Sequence, residues 1–294
     1  MTRTGLIGVG IMGSAMATHV LAAGHGVVGY DTEPDRLARL TAAGGTTARS
    51  AAEVAATADV VILSLPVADA VTSTCAEIAG VGRRGTVVVE TSTMPAEVKS
   101  GCRDLLADAG IDLLDCPLSG TGAQALTRDV VVYGSGDPTV FETVRPVLEA
   151  FSRSVRYLGE FGNGSVMKFI ANLLVAVHNV ATAEAFALGI RAGLDRGEVW
   201  ESIRDGAGSS VIFDKRGRLM VHEDYLPATA KISMFVKDVD IVRDYARQLD
   251  LPTPLLDATV SLYDRAQADG LGDHDAAALL TLLANDRIDN GSMR

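Results

Sequence analysis

Cysteine, aromatic residues and positive charge are all scarce in this chain of 294 residues. The three cysteines, Cys75, Cys102 and Cys116, are odd in number and widely spaced, and no C-x-x-C pair or Cys/His cluster occurs. That excludes a disulfide framework and a zinc site, so no metal is expected and a reducing compartment fits. Aromatics make up 5% of the residues, while alanine and glycine abound, a mix suited to close helix packing and tight turns. Lys plus Arg number 26 against 37 Asp plus Glu, a formal charge of −11, which argues against nucleic acid as a partner. Apolar residues reach 48% and charged ones 21%, the balance of a globular protein rather than a disordered one. Gly5 to Gly24 is apolar enough to suggest a signal peptide, but it is interrupted by glycines and lacks a cleavage-like site. No other stretch is read as approaching the roughly 20 apolar residues of a membrane span. The expectation is a soluble, cytoplasmic protein with no membrane partner and, at roughly 150 residues per domain, two domains.

The first half alternates short apolar runs with helical patterns. Strands are expected at Thr4–Val9, Gly26–Tyr30, Val60–Leu65, Thr86–Glu90, Asp112–Leu114, Asp129–Tyr133 and Val155–Leu158. Helices are expected at Met12–Ala23, Asp35–Ala43, Ala68–Ile78, Pro95–Ala109 and Pro138–Phe151. Such alternation predicts a parallel sheet covered by helices. Beyond Gly164 the texture changes to a long, nearly uncharged helical run, Ser165–Ala192. After it come Arg196–Asp205, roughly Ile232–Leu249, Pro254–Ala268 and Asp275–Ala284. The fold class read from this is an α/β Rossmann domain over residues 1–160, followed by an all-α helical domain over 161–294.

Gly8-Val9-Gly10-Ile11-Met12-Gly13 is G-x-G-x-x-G placed between the first strand and the first helix. The first glycine permits the turn, the second lets backbone approach a pyrophosphate, and the third lets helix pack on strand. Eighteen residues after Gly13 the second strand ends at Asp31, where a carboxylate meets ribose hydroxyls and repels a 2′-phosphate. NAD is favoured over NADP on that ground, with Arg36 close enough to soften the preference.

Dehydrogenase chemistry needs a group to move the hydroxyl proton. No tyrosine has a lysine four residues on, which excludes the Tyr-x-x-x-Lys mechanism. His19 and His25 flank the first helix, His222 and His274 fall in polar turns, and His178 reads as a structural histidine on an apolar helix. Lysine is the informative residue, with only Lys99, Lys168, Lys215, Lys231 and Lys237 in the chain. Lys168 lies near the start of the long apolar helix with Asn172 at i+4 on the same face. An ammonium there has either a partner or a task, since burial lowers its pKa toward that of a general acid/base. Snorkelling to the surface is the alternative that the residues alone leave open.

These motifs together resemble the β-hydroxyacid dehydrogenases, the group of 3-hydroxyisobutyrate dehydrogenase, tartronate semialdehyde reductase and 6-phosphogluconate dehydrogenase. The resemblance runs nearly end to end. It rests on Ile7 to Gly13 with Met16-Ala17 and Ala23-Gly24-His25, on Ile62 to Pro66, and on Thr91-Ser92-Thr93-Met94-Pro95. It continues through Asp115-Cys116-Pro117-Leu118-Ser119-Gly120-Thr121, Gly162-x-Gly164 with Lys168 and Asn172, Lys237-Asp238, and Gly270 to Asp275.

The resemblance implies an active site in the cleft between the two domains and assembly into a homodimer or homotetramer. It implies Lys168 as acid/base on the substrate hydroxyl and Asn172 as its orienting partner. Ser119 and Gly120 would hold the substrate carboxylate. Cofactor contacts would come from Gly8, Gly10, Ile11, Met12, Gly13, Asp31, Leu65, Pro66, Thr93 and Lys237.

Three departures from the family pattern bear on substrate. Thr121 replaces a glycine, a glycine usual near Arg128 is missing, and Ala171 replaces the first of two asparagines. Thr121, Gln124 and Arg128 are therefore read either as extra substrate contacts or as neutral loop variation. The reaction expected is reversible oxidation of a small hydroxy acid, 3-hydroxyisobutyrate-like or sugar-acid-like, to its semialdehyde or keto acid. The alternatives are an NADPH-dependent aldehyde or imine reductase, or a catalytically inactive dinucleotide-sensing subunit.

Overall fold

The computed structural model describes residues 2–81 and 83–285, and the chain divides into two compact units after Phe169. The first unit opens with β1 (Arg3–Ile7), α1 (Ile11–Ala22), β2 (Gly26–Tyr30), α2 (Pro34–Ala42), β3 (Thr46–Thr47) and α3 (Ala51–Thr57). It continues with β4 (Val60–Leu63), α4 (Ala68–Val81), β5 (Val87–Glu90), α5 (Ala96–Asp108) and β6 (Asp112–Asp115). The six strands form one parallel sheet in the order β3-β2-β1-β4-β5-β6. This is a Rossmann sheet, whose order reverses between β1 and β4.

The strands are apolar on both faces because helices cover both. Leu6, Ile62, Val89 and Leu114 pack into one core with Met16 and Val20 of α1. The alternating positions Ile7, Val61, Leu63, Val88 and Leu113 pack into a second core with Val54, Ile78 and Leu106. The period of two that divides them is that of a pleated strand.

Past β6 the chain builds a smaller sheet. β7 (Leu118–Ser119), α6 (Gly122–Leu126), β8 (Val131–Gly134), α7 (Pro138–Phe151) and β9 (Ser154–Tyr157) follow in turn. β7 and β8 pair antiparallel and β8 and β9 parallel, and a bridge from Asp115 to Ser135 joins this sheet to the end of β6.

The second unit is helical, with α8 (Asn163–Arg191) entering it from the first. There follow α9 (Arg196–Arg204), α10 (Val211–His222), α11 (Ile232–Gln248), α12 (Pro254–Ala268), a 3₁₀ turn (Ala276–Ala278) and α13 (Leu279–Asn285). Contrary to the reading of the sequence, α8 is long and apolar enough to cross a membrane by length and composition. It is also built as a packed helix: buried Asn179 donates to Tyr263 Oη and to the Ala276 carbonyl, each at 3.0 Å. A buried Arg216–Asp275 pair supports the same unit, with Asp275 also accepting from the Thr229 and Ala277 amides.

Candidate active site

The G-x-G-x-x-G loop lies outside the carboxyl end of β1, at the point where the strand order reverses. Gly8 takes φ +89°, and a Cβ there would overlap the Ser64 carbonyl, while one on Gly13 would overlap the Gly8 carbonyl. Ile11, Met12 and Gly13 form the first turn of α1, which has no side-chain cap at Gly10 and no acidic residue. Free amides at a helix N-terminus and a loop with no room for side chains fit the pyrophosphate of a dinucleotide. At Gly10 the nearest atom to a Cβ would be Arg36 Nη1, at 3.9 Å.

Asp31 follows β2 and is 8% exposed. Its Oδ2 accepts the Val9 amide at 2.7 Å, its Oδ1 the Glu33 amide at 3.0 Å, and Arg36 Nη1 pairs with it at 3.3 Å. The carboxylate thus ties the glycine loop to the end of β2. At the ends of β4 and β5, the Leu65 amide donates to Ser92 Oγ at 2.9 Å and Thr91 Oγ1 to the Leu63 carbonyl at 2.6 Å, which joins the two strands. Pro66 is exposed and Thr93 half-buried at those ends.

Ser119 ends β7, and Gly120 follows at φ +146°. The departures at Thr121 and Arg128 have a local explanation. Thr121 is the N-cap of α6, in a capping box with Gln124, whose Nε2 also donates to Asp129 Oδ2 at 2.9 Å. Arg128 takes φ +60°, the conformation that glycine favours, and its Nη2 donates to the Glu149 carbonyl at 2.8 Å. Thr121 thus caps α6, and Arg128 ties the loop to α7.

Lys168 is half-buried in the second turn of α8, and Asn172 stands one turn further on, 7% exposed. Asn172 Nδ2 donates to Asp238 Oδ2 at 2.9 Å, and Lys237 Nζ lies 3.0 Å from Asp238 Oδ1. Asp238 therefore holds two of the expected site residues together, and the Lys237-Asp238 dipeptide was its only signal in the sequence. His19 lies within α1 rather than beside it, its Nε2 3.0 Å from the Ala125 carbonyl, and His222 ends α10 instead of lying in a turn.

The sequence reading missed the largest buried polar group of the first unit. Lys99 Nζ sits 2.6 Å from Glu90 Oε2 and 2.8 Å from Asp115 Oδ1, with all three side chains at most 1% exposed. Burial opposes the ammonium, yet the Asp115 and Glu90 carboxylates outweigh that cost and hold Lys99 above the ordinary lysine range.

A dinucleotide loop at the switch point of a Rossmann sheet defines a dinucleotide-binding protein. Residues 3–159 match the family described as the NAD binding domain of 6-phosphogluconate dehydrogenase. Residues 162–283 match that described as NAD-binding of NADP-dependent 3-hydroxyisobutyrate dehydrogenase. The chain is 34% identical over 282 residues to an L-threonate dehydrogenase of Pectobacterium atrosepticum, covering 94% of this chain and 92% of that one. It is 30% identical to an NAD-dependent L-serine dehydrogenase of Pseudomonas aeruginosa, over 96% and 98% of the two chains. A crystal structure of 3-hydroxyisobutyrate dehydrogenase from Salmonella typhimurium superposes with a TM-score of 0.89 at 30% identity, covering 96% of this chain and 100% of that one. The chain belongs to the β-hydroxyacid dehydrogenase family. It is an oxidoreductase that uses a nicotinamide dinucleotide.

Proposed function

We propose that the chain catalyses the NAD-linked, reversible oxidation of a short hydroxy acid of the 3-hydroxyisobutyrate or sugar-acid type. The product is the corresponding semialdehyde or keto acid. The observation that carries this reading is the pair Lys168 and Asn172 on one helix, with Asn172 anchored through Asp238 to Lys237. The bound dinucleotide supplies the hydride acceptor. Lys168 Nζ, in its amine form, would take the proton of the substrate hydroxyl as charge develops on that oxygen. Asn172 orients the hydroxyl, and Ser119 with the Gly120 amide receives the carboxylate, a positional contribution to rate. Thr121 and Arg128 are left to the loop that they build. NAD is preferred because Asp31 repels a 2′-phosphate. The names of the threonate and serine relatives favour a polar, hydroxylated acid over an apolar one.

Ile170, Leu174 and Leu188 are each about half exposed or more along α8 and support self-association as a homodimer or homotetramer. Light scattering tests the mass directly.

The reaction is tested by following NADH formation over a panel from 3-hydroxyisobutyrate and glycerate to four- and five-carbon sugar acids. NAD and NADP are run side by side, with Lys168→Ala as control. Turnover that requires Lys168 and prefers NAD supports the reading. Silence across the panel with NADH binding intact overturns this substrate class in favour of an unusual substrate or of a sensing subunit.

A further inference from the structure

Asp115 links the buried Lys99 cluster to the start of α8. Its Oδ2 accepts the Ser165 amide at 2.7 Å, and its Oδ1 accepts Ser165 Oγ at 2.9 Å as well as Lys99 Nζ. Ser135 Oγ accepts the Gly164 amide at 3.0 Å and itself donates to Asp115. On the other side of Lys99, Glu90 Oε1 accepts the Ser92 amide at 2.8 Å, and Ser92 Oγ accepts the amide of Leu65. One continuous set of polar contacts therefore runs from the loop after β4, through Glu90, Lys99 and Asp115, to the first turn of α8.

The chemistry of the set is unusual for a protein interior. Two carboxylates face one ammonium, and the surplus negative charge lies against the N-terminal amides of α8, where the helix dipole favours an anion. The approach is close. A Cβ on Gly164 would meet the Asp115 carbonyl at 2.7 Å and Asp115 Oδ2 at 3.1 Å, so only glycine lets the helix come this near. Ser165 is 2% exposed and makes two of the contacts, one from its amide and one from its hydroxyl. Lys168 is the third residue on from Ser165, within one helical turn.

We propose that Asp115 and Ser165 are positioning residues for Lys168. The carboxylate, oriented by Lys99, sets the rotation and axial placement of the first turns of α8, and with them the placement of the lysine amine. This rests on the acid/base reading of Lys168 given above. Neither residue touches substrate; they act through the helix. Displacements of about 1 Å at a reacting group can cost on the order of a hundredfold in rate.

The test is Ser165→Ala, which removes one hydroxyl and leaves the amide contact, compared with the parent enzyme, Asp115→Asn and Lys168→Ala. We expect Ser165→Ala to lower kcat at least tenfold while the NADH dissociation constant, read by fluorescence titration, stays within twofold and the melting temperature is nearly unchanged. Asp115→Asn should lower kcat further. In the Lys168→Ala background, Ser165→Ala should add no further loss to the residual rate, because its effect passes through the lysine. Parental kcat in Ser165→Ala overturns the proposal. So does a loss matched by weaker NADH binding, or a variant that does not fold, since each assigns the contact to the cofactor site or to stability. If Lys168→Ala retains parental turnover, the acid/base reading itself falls. If Lys168→Ala is inactive while Ser165→Ala is normal, only the positioning role falls.

Discussion

Asn172 and Asp238 are 66 positions apart in sequence and joined by a 2.9 Å hydrogen bond, with Lys237 Nζ on the other oxygen of the same carboxylate. With Nδ2 of Asn172 committed to Asp238, the orientation of the amide is fixed and Oδ1 remains its acceptor.

Removing that commitment should cost activity. A hydrogen bond to a charged group is worth about 1.5–3 kcal/mol, so Asp238→Ala should lower kcat/KM for the hydroxy acid roughly 10- to 100-fold. Asp238→Asn keeps an oxygen to accept from Asn172 and should recover part of the loss. Steady-state kinetics on the two variants decide it, and equal losses in both would point to the charge beside Lys237 instead.

Asp31 offers a second test, on cofactor choice. Arg36 already pairs with it at 3.3 Å and stands nearest the glycine loop at Gly10. Asp31→Ser removes the carboxylate that repels a 2′-phosphate and releases the guanidinium to attract one. The ratio of kcat/KM with NAD to that with NADP should fall at least tenfold, and an unchanged ratio would locate the discrimination elsewhere.

The loop after β7 gives a third. Thr121→Ala removes the N-cap of α6 and should cost about 1 kcal/mol of stability, seen as a lower melting temperature. Arg128→Gly relieves the left-handed backbone at φ +60° while losing the contact to the Glu149 carbonyl, and should leave KM for the hydroxy acid within threefold. A tenfold rise in KM would mean that the guanidinium leaves Glu149 for substrate.

The parts of this fold that repeat over several residues were legible in the sequence, and the parts fixed by a single contact were not. Strands β1, β2, β4 and β5 carry enough β-branched residues to announce themselves, and the glycine loop is local. β3 is two residues long and exists only because β2 pairs with it. Helix α3, of seven residues, has no counterpart among the helices expected from the sequence, although Ser50 accepts the Glu53 amide in a Ser-x-x-Glu signature. Helix α10 has no counterpart among the helices expected from the sequence; its Gly217 is where Trp200 and Phe186 pack against it. At the site, Asp238 belongs to the Lys237-Asp238 motif, whereas Glu90, Lys99 and Asp115 lie on three separate elements. Only the register of β5 with β6, which sets Glu90 opposite Asp115, brings the two carboxylates together, and α5 delivers the lysine between them.

That buried triad makes the last prediction, and its sign follows from the direction of the Lys99 shift. The folded protein holds the Lys99 proton more tightly than the unfolded chain does, whose lysines titrate near 10.4. Below that pH both states are protonated and the full contribution of the ion pairs is present. As pH rises above it, the unfolded chain loses the proton first, so stability declines until the folded lysine also titrates. Lys99→Met removes the charge that two buried carboxylates require and should destabilise the first unit by about 3–5 kcal/mol at neutral pH. It should also abolish the share of the alkaline decline that belongs to this group. Denaturant unfolding from pH 7 to 11.5 should therefore show the parent and variant curves far apart at neutral pH and converging above about pH 10.4. Parallel curves would mean that the cluster holds its charges without a lysine-specific contribution.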